Sequence, residues 1–596
     1  MKRVFKYLGK YKLRLTIGLI IKVIGTVLDL AIPYILSHII DDIIPTGNFN
    51  HVLLMGGVMI ISSLLCFFFN VKANQMASYI AKCVTEDLRH DLFVKIEKLS
   101  SAQIDEVTMP SLISRMTTDT YNIHQMVGMM QRIGVRAPIL LMGGIVITFT
   151  MDPVLTLILV AMLPVVFGLA FLISKLGLPL FTKVQEALDH LVRIIRENVT
   201  GIRVIKALSK ASYEKERFAK VNKEVIDYEL KSSYTMITIN PIMNLLLNGG
   251  LVLVVVLGAY RIINKETTVG TIISFTSYFT IILNAMLTIT RIFTIYSRSN
   301  ASAIRINHIF RIEDDLLKVE TDDASDYEIE FRDVCFSYNK NLDNKLYNVS
   351  NISFALKKGE SIGILGPTGS GKSTIISLLL RLYDCDTGAI FVQGKNIKSY
   401  DINDLRAKIG ASLQNDTIFT DTVTNNIDLF RGLSEEEIIK ASKCSLAYDF
   451  INKHPDKFDE ILSAKGTNIS GGQKQRIFIA RALASNPDIL ILDDSSSALD
   501  YKTDATLRRN INEQYPSLTK IIIAQRISSI INCDYIMMID EGFVTNFGTH
   551  EYLLNTSDEY KEIYESQMGD SKKGTITLSH DGGDLSWMGV AETIIS

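Results

Sequence analysis

The chain has 596 residues, room for about three to five domains at 100–200 residues each. Its 62 Lys and Arg against 64 Asp and Glu, a formal net charge of -2, exclude a nucleic-acid binder that works through global basic charge. A hydrophobic content of 47%, 21% charged residues and a mean hydropathy of +0.21 exclude a disordered chain, and six cysteines without CxxC pairing argue against a disulfide scaffold or zinc site.

Apolar residues concentrate in the first half. Six stretches have the length a bilayer needs, near Leu15–Ile40, Val52–Val71, Ile133–Met151, Val154–Ile173, Ile237–Tyr260 and Ile272–Phe293. Basic residues Lys2, Arg3, Lys6, Lys10, Lys12 and Arg14 precede the first span, whereas the loop Asp41–His51 has no Lys or Arg. The positive-inside rule therefore places the N-terminus in the cytosol, and six spans return the second half there, as in a multi-pass protein of the cell membrane. The first apolar run is too long for a signal peptide. Two long connections, Lys72–Arg132 and Lys175–Tyr234, are charged and helix-compatible, which predicts helical rods extending the spans into the cytosol.

The expected organisation is a membrane domain over 1–312, an acidic linker over 313–326, a soluble α/β domain over 327–568, and a disordered tail over 569–596 that holds the only tryptophan, Trp587. In the soluble part, ESIGILGPTGSGKSTIISLLLRL reads as strand, glycine-rich loop and helix. Gly366, Gly369 and Gly371 let the backbone turn its N–H groups toward phosphates, and the helix adds its positive end. Lys372 is expected to reach the β- and γ-phosphates of ATP and the Ser373 hydroxyl to sit on Mg²⁺, with Pro367, Thr368, Ser370 and Thr374 completing the loop. A second strand ends in Asp493 and Asp494, of which Asp493 suits a Mg²⁺ partner. Between them, Ser470, Gly471, Gly472 and Gln473 open a helix, a further anion-binding end.

A P-loop, an SGGQ segment and LDDSSSALD, in that order behind six spans, resemble an ATP-binding-cassette exporter half-transporter along nearly the whole chain. The resemblance implies a membrane all-α domain of six transmembrane helices with long cytosolic extensions, followed by an α/β P-loop nucleotide-binding domain. It implies that Tyr338 stacks on adenine, that Gln414 senses Mg²⁺ and contacts the membrane domain, and that Ile469–Gln473 reaches the γ-phosphate held by the opposite subunit. It also makes Ser497–Asp500 the D-loop, and Met116–Ile123 and Ile205–Glu214 the coupling helices.

Three positions depart from the family pattern. Asp494 stands where hydrolytic members carry a glutamate, Gln525 where a histidine is expected, and Ala464 where a glutamate is usual. A carboxylate shortened by one methylene is withdrawn by roughly 1 Å, and misplacement on that scale costs about 10²-fold. Glutamine hydrogen-bonds a phosphate oxygen but carries no titratable proton. The pattern resembles the degenerate-site subunit of heterodimeric bacterial multidrug exporters, which implies a homologous half-transporter as partner and small hydrophobic or amphipathic substrates leaving the cytosol or inner leaflet. A homodimeric lipid or peptide exporter, and a nucleotide-gated channel or regulator, are the competing readings.

For the substrate, the first span holds Lys22 and Asp29. Lys22 snorkels or faces a partner. Asp29 either lines a cavity that favours cations or makes an interhelical hydrogen bond. Asn240, Asn244 and Asn248 form a stripe read either as packing glue or as a drug contact. Tyr278 and Phe279, beside Phe275, are expected to line the cavity.

Overall fold

The computed structural model describes residues 1–573, apart from 322, 340–346 and 496. The chain forms two units, Met1–Lys98 with Val107–Ile312, and Leu99–Glu106 with the residues from Glu313 onward.

The first unit is helical. A short basic helix α1 (Lys2–Lys10) breaks at Tyr11 before α2 (Lys12–His38). The Asn48 side chain caps the 49-residue α3 (Phe49–Glu97) by accepting from the N–H groups of Asn50 and His51. After α4 (Ser101–Val107), helices α5 (Met109–Ser114), α6 (Thr120–Met129) and α7 (Arg136–Met151) join through π-helical turns at Arg115–Asp119 and Met130–Gly134. Asp152 caps α8 (Pro153–Thr200), whose first position is a proline, the residue that tolerates losing an N–H there. Then come α9 (Ile202–Ala207), α10 (Ala211–Ile237), α11 (Ile239–Ile263) and α12 (Val269–Arg311).

Five helical stretches among the described residues are long and apolar enough to cross a membrane: Lys12–Thr46, Phe49–Glu97, Met109–Met151, Pro241–Ile263 and Val269–Arg311. The fourth expected span contributes the shorter apolar stretch Pro153–Leu169 at the start of α8. Exposed Leu64, Phe67 and Phe68 on α3 are a surface fit for lipid, while Leu155, Leu159, Phe275 and Ile282 pack inside the bundle.

Met116–Ile123 is not the tip of the first connection. Asp119, Thr120 and Ile123 are buried, Arg305 of α12 pairs with Asp119, and Asn122 donates to Ser302 at 3.0 Å. The chain turns instead at α4, where the Ser100 hydroxyl donates to Asp315 at 2.6 Å and Gln103 donates to the Glu313 carbonyl at 2.7 Å, all within the second unit. The other expected segment, Ile205–Glu214, covers the end of α9, a break at Ser209 with φ +52°, and the start of α10.

The second unit runs β1 (Ile329–Phe336), β2 (Val349–Leu356), β3 (Ser361–Leu365), α13 (Lys372–Leu379), β4 (Thr387–Val392), β5 (Lys395–Asn396), α14 (Ile402–Ala407) and β6 (Ile409–Ser412). It continues through α15 (Val423–Asp428), α16 (Glu435–Cys444), α17 (Tyr448–Lys453), α18 (Gly471–Ala484), β7 (Ile489–Asp493), α19 (Tyr501–Gln514), β8 (Thr519–Ile523), β9 (Tyr535–Asp540), β10 (Phe543–Gly548), α20 (His550–Thr556) and α21 (Asp558–Lys573). One sheet has the antiparallel order β2-β1-β4-β5; the other has the order β10-β9-β3-β8-β7-β6, parallel from β9 to β6. Strands β3 and β7 are buried along their whole length, as uninterrupted apolar runs in a parallel sheet require.

The linker is tied down: the Val319 N–H donates to the Lys398 carbonyl at 2.8 Å and Arg381 to the Leu317 carbonyl at 2.7 Å. Residues 569–573, expected to be disordered, continue α21. The rest of that tail, with Trp587, lies outside the described residues.

Candidate functional site

Strand order alone brings the soluble motifs together. The P-loop follows β3, Gln414 follows β6, Asp494 follows β7 and Gln525 follows β8, so all four leave the same carboxyl edge of one parallel sheet. There a cavity of about 280 Å³ is walled by Tyr338, Thr368, Gly369, Gly371 to Thr374, Gln414, Asp493, Asp494 and Gln525.

The backbone explains the two glycines that matter most. A Cβ on Gly366 would lie 2.1 Å from the Ile539 carbonyl oxygen. Gly371 caps α13 at φ +102°, and a Cβ there would meet the Asn348 carbonyl oxygen at 2.6 Å. Lys372 Nζ donates to the carbonyls of Gly366 and Pro367 at 2.8 and 2.6 Å and lies 3.5 Å from the buried Ser370 hydroxyl. Burial lowers its pKa, opposed by Asp493 and Asp494.

Ser373 Oγ donates to Asp493 Oδ2 at 3.0 Å, and Gln414 faces the same cavity. These are hard oxygen donors of the kind Mg²⁺ takes, so the set fits that ion beside a triphosphate. Burial raises the pKa of Asp493, the Ser373 hydroxyl opposes, and the Asp494 charge raises it further. Asp494 is also raised by burial, against Lys372 and Arg526. Its backbone sits at φ +50°, with its N–H on the Ile523 carbonyl at 3.0 Å. Gln525 Nε2 donates to Asp494 Oδ2 at 3.4 Å.

Tyr338 stands at the opposite side, its hydroxyl 3.4 Å from Thr374 Oγ1 and its ring edge-on to Phe336 and Tyr383. Sequence reasoning missed Tyr383. Its hydroxyl donates to Asp105 of α4 at 2.6 Å, and burial together with that bond raises its pKa.

Ser470, Gly471, Gly472 and Gln473 do not line this cavity. They form the start of α18, where Ser470 Oγ accepts from the Gln473 N–H at 3.3 Å and Gln473 Oε1 accepts from the Ser470 N–H at 2.8 Å. Gln475 ties this helix to the D-loop through Ser497 Oγ at 2.9 Å and the Ala498 N–H at 3.0 Å. Ala464 opens a tight turn in which Lys465 takes φ +58°.

The membrane unit corrects three expectations. Tyr278 and Phe279 are fully buried, and the Tyr278 hydroxyl donates to the Leu30 carbonyl at 2.5 Å, so both pack within the bundle rather than on an open surface. Asn244 is exposed outside the cavities described here, and the side chain of Asn240 lies outside the described residues. Asp29 lines a cavity of about 260 Å³ but is no free anion, because Arg136 of α7 pairs with it at 2.5 Å. Arg136 went unremarked in the sequence; the signal was that it is the sole charge in Ile133–Met151. Lys22 is buried and donates to Asn70 and Asn74 at 2.8 and 3.1 Å.

Comparisons with known proteins agree with this division. A family model described as ABC transporter transmembrane region matches residues 15–286, and one described as ABC transporter matches residues 349–497. The chain is 34% identical to "Uncharacterized ABC transporter ATP-binding protein YfiB" of Bacillus subtilis (strain 168), over 96% of this chain and 99% of that one. It is 28% identical to the "ATP-dependent lipid A-core flippase" of Syntrophus aciditrophicus (strain SB), over 96% and 95% of the two chains. In three dimensions it matches the structure of a bacterial Atm1-family ABC exporter with ATP bound at a TM-score of 0.80, with 23% identity, over 93% of this chain and 99% of that one. That likeness is one of fold.

Proposed function

The chain belongs to the ABC transporter family, multi-pass membrane proteins that couple ATP hydrolysis to transport, and from that premise we propose that it is the degenerate-site half of a heterodimeric exporter of hydrophobic or amphipathic compounds. The observation that carries this reading is the pairing of a shortened carboxylate, Asp494, with an uncharged amide, Gln525, inside an otherwise complete P-loop cavity.

In this reading Lys372 and the N-terminus of α13 bind the phosphates, Tyr338 stacks on adenine, and Ser373, Gln414 and Asp493 offer oxygens to Mg²⁺. Bound there, Mg²⁺ would neutralise phosphate charge. Asp494 is drawn back from the attacking water, and Gln525 supplies no charge, so this site holds ATP as a slow clamp. Ser470 to Gln473 stand outside their own chain's cavity. They therefore serve the partner's ATP, where backbone and hydroxyl donors stabilise the developing phosphate charge. The N-terminus and the cassette lie on the cytosolic side, and substrate moves outward from the cytosol or inner leaflet.

Purification of the transporter from its native membrane tests the proposal. A homologous chain with Glu and His at the matching positions is expected to co-purify, and this chain alone is expected to bind ATP but turn it over poorly. Robust ATPase activity from this chain alone supports the homodimeric exporter instead, and conduction without turnover supports a channel.

A further inference from the structure

Four charges come together inside the membrane unit. Lys22 and Asp29 lie on α2, Arg132 on the π-helical turn before α7, and Arg136 on α7, and they act electrostatically on one another. Lys22 is bonded to the neutral amides of Asn70 and Asn74, and Arg132 to the Gly128 carbonyl at 3.1 Å, none of which supplies negative charge. Of these four charges Asp29 opposes three cations, and intramembrane charge left unbalanced is costly.

The surplus faces space. The cavity of about 260 Å³ between α2, α7 and α12 is lined by Asp29, Arg136, Asn284 and Thr288 among apolar neighbours, and the Arg136 side chain keeps 42% of its surface exposed. A guanidinium carries five donors in a planar fork, and Asp29 accepts from one nitrogen at its tip. Arg136 Nε is buried with no acceptor. That unmet donor adds to the cost of holding the guanidinium here.

We propose that this cavity forms a substrate site for an anionic amphiphile, its acidic head on Arg136 and its apolar body against Ile133, Leu140 and Ile281. The assignment rests on the exporter reading above and reverses the preference for cations that Asp29 implies in isolation. Asp29 then acts as the resident counter-ion, holding Arg136 in place and yielding part of the guanidinium to an incoming carboxylate, sulfonate or phosphate.

Two dyes that share a xanthene body but differ in charge test the site: anionic fluorescein and cationic rhodamine 123. Their binding is read by fluorescence anisotropy on the transporter, purified as it assembles in the cell and placed in neutral-lipid nanodiscs. Fluorescein is expected to bind the tighter of the two. Arg136→Gln should weaken it about tenfold, the usual loss for a truncated charge-assisted bond, while Arg136→Lys retains most of it. Asp29→Asn should tighten fluorescein several-fold, and decides the matter if Arg136→Gln fails to assemble. Competition by phosphatidylglycerol added to the nanodiscs supports a lipid as the natural source of the acidic head; its absence, with fluorescein still bound, supports a soluble amphiphile. Rhodamine 123 binding as tightly as fluorescein, no fluorescein binding, or Asp29→Asn without effect on it overturns the assignment. Failure of ATP to drive either dye into inverted vesicles, with the Arg136-dependent binding intact, overturns the exporter reading and leaves the anion site standing.

Discussion

The amide of Gln525 donates to Asp494 Oδ2 across 3.4 Å, so two of the three residues that depart from the family pattern hold one another. The bond keeps one carboxylate oxygen engaged and anchors the amide on the wall of the P-loop cavity. Repair of the pair therefore has to be made at both ends.

Asp494→Glu together with Gln525→His is expected to raise ATPase activity of the assembled transporter by less than about threefold, because the carboxylate regains its reach while the partner's own signature is unchanged. Steady-state rates at saturating MgATP read this. A rise of tenfold would show that these two side chains alone had been limiting, and would remove the clamp.

The proposed division of labour within the chain is testable at Ser470, which stands outside the P-loop cavity, and Lys372, which lines it. Ser470→Arg should nearly abolish turnover, since a well-placed donor at a developing phosphate charge contributes about 10²–10³ in rate. Lys372→Ala should weaken ATP retention yet spare a substantial part of the hydrolysis. Equal loss in the two variants, at matched expression, contradicts the asymmetry.

Asp493 gives a prediction about Mg²⁺ and pH. Burial raises its pKa, so the ionised form is the costly one, and its contribution to stability declines as pH rises through that raised value. Asp493→Asn should therefore raise the nucleotide-free melting temperature near neutral pH by about 2 °C, a gain that shrinks as the pH falls toward the range where Asp493 takes up its proton. The extra protection given by MgATP over ATP with EDTA should vanish in the same variant. Survival of that increment in a thermal-shift assay would take Asp493 out of the Mg²⁺ set.

Tyr383 connects Tyr338, on the wall of the P-loop cavity, with Asp105 of α4. Tyr383→Phe keeps the ring and removes the hydroxyl. ATP binding should stay within about twofold, while substrate stimulation of ATPase activity falls several-fold. Unchanged stimulation would reduce the bond to local packing.

The nucleotide site was readable because its chemistry is local. Gly366 to Ser373 announce a strand, a tight loop and a helix within a few residues, and Ile489–Leu492 announces the strand that delivers Asp493. Long-range pairings were not readable in that way. Met116–Ile123 and Ser101–Val107 are both helix-compatible, and only the bonds of Asp119 to α12 and of Gln103 to Glu313 separate them. Tyr278 and Phe279 share a helix face with Phe275 and Ile282, but that spacing does not say whether the face meets Leu30 or a cavity. The Asp29–Arg136 pair joins spans 107 residues apart, and neither residue alone signals the other.

Leu99–Glu106 also bears on the order of synthesis. Its partners at Glu313, Asp315 and Tyr383 leave the ribosome more than 200 residues later, the Ser100 to Asp315 bond spanning 215 positions and the Tyr383 to Asp105 bond 278. The segment must wait, unpaired, while the intervening helices enter the bilayer, and closes only when the cassette emerges. A cassette expressed by itself from Glu313 would reach its final length without Asp105 or Gln103. Supplying residues 99–106 in trans, as a peptide, is therefore the natural way to ask how much of the second unit's assembly depends on chain made long before it.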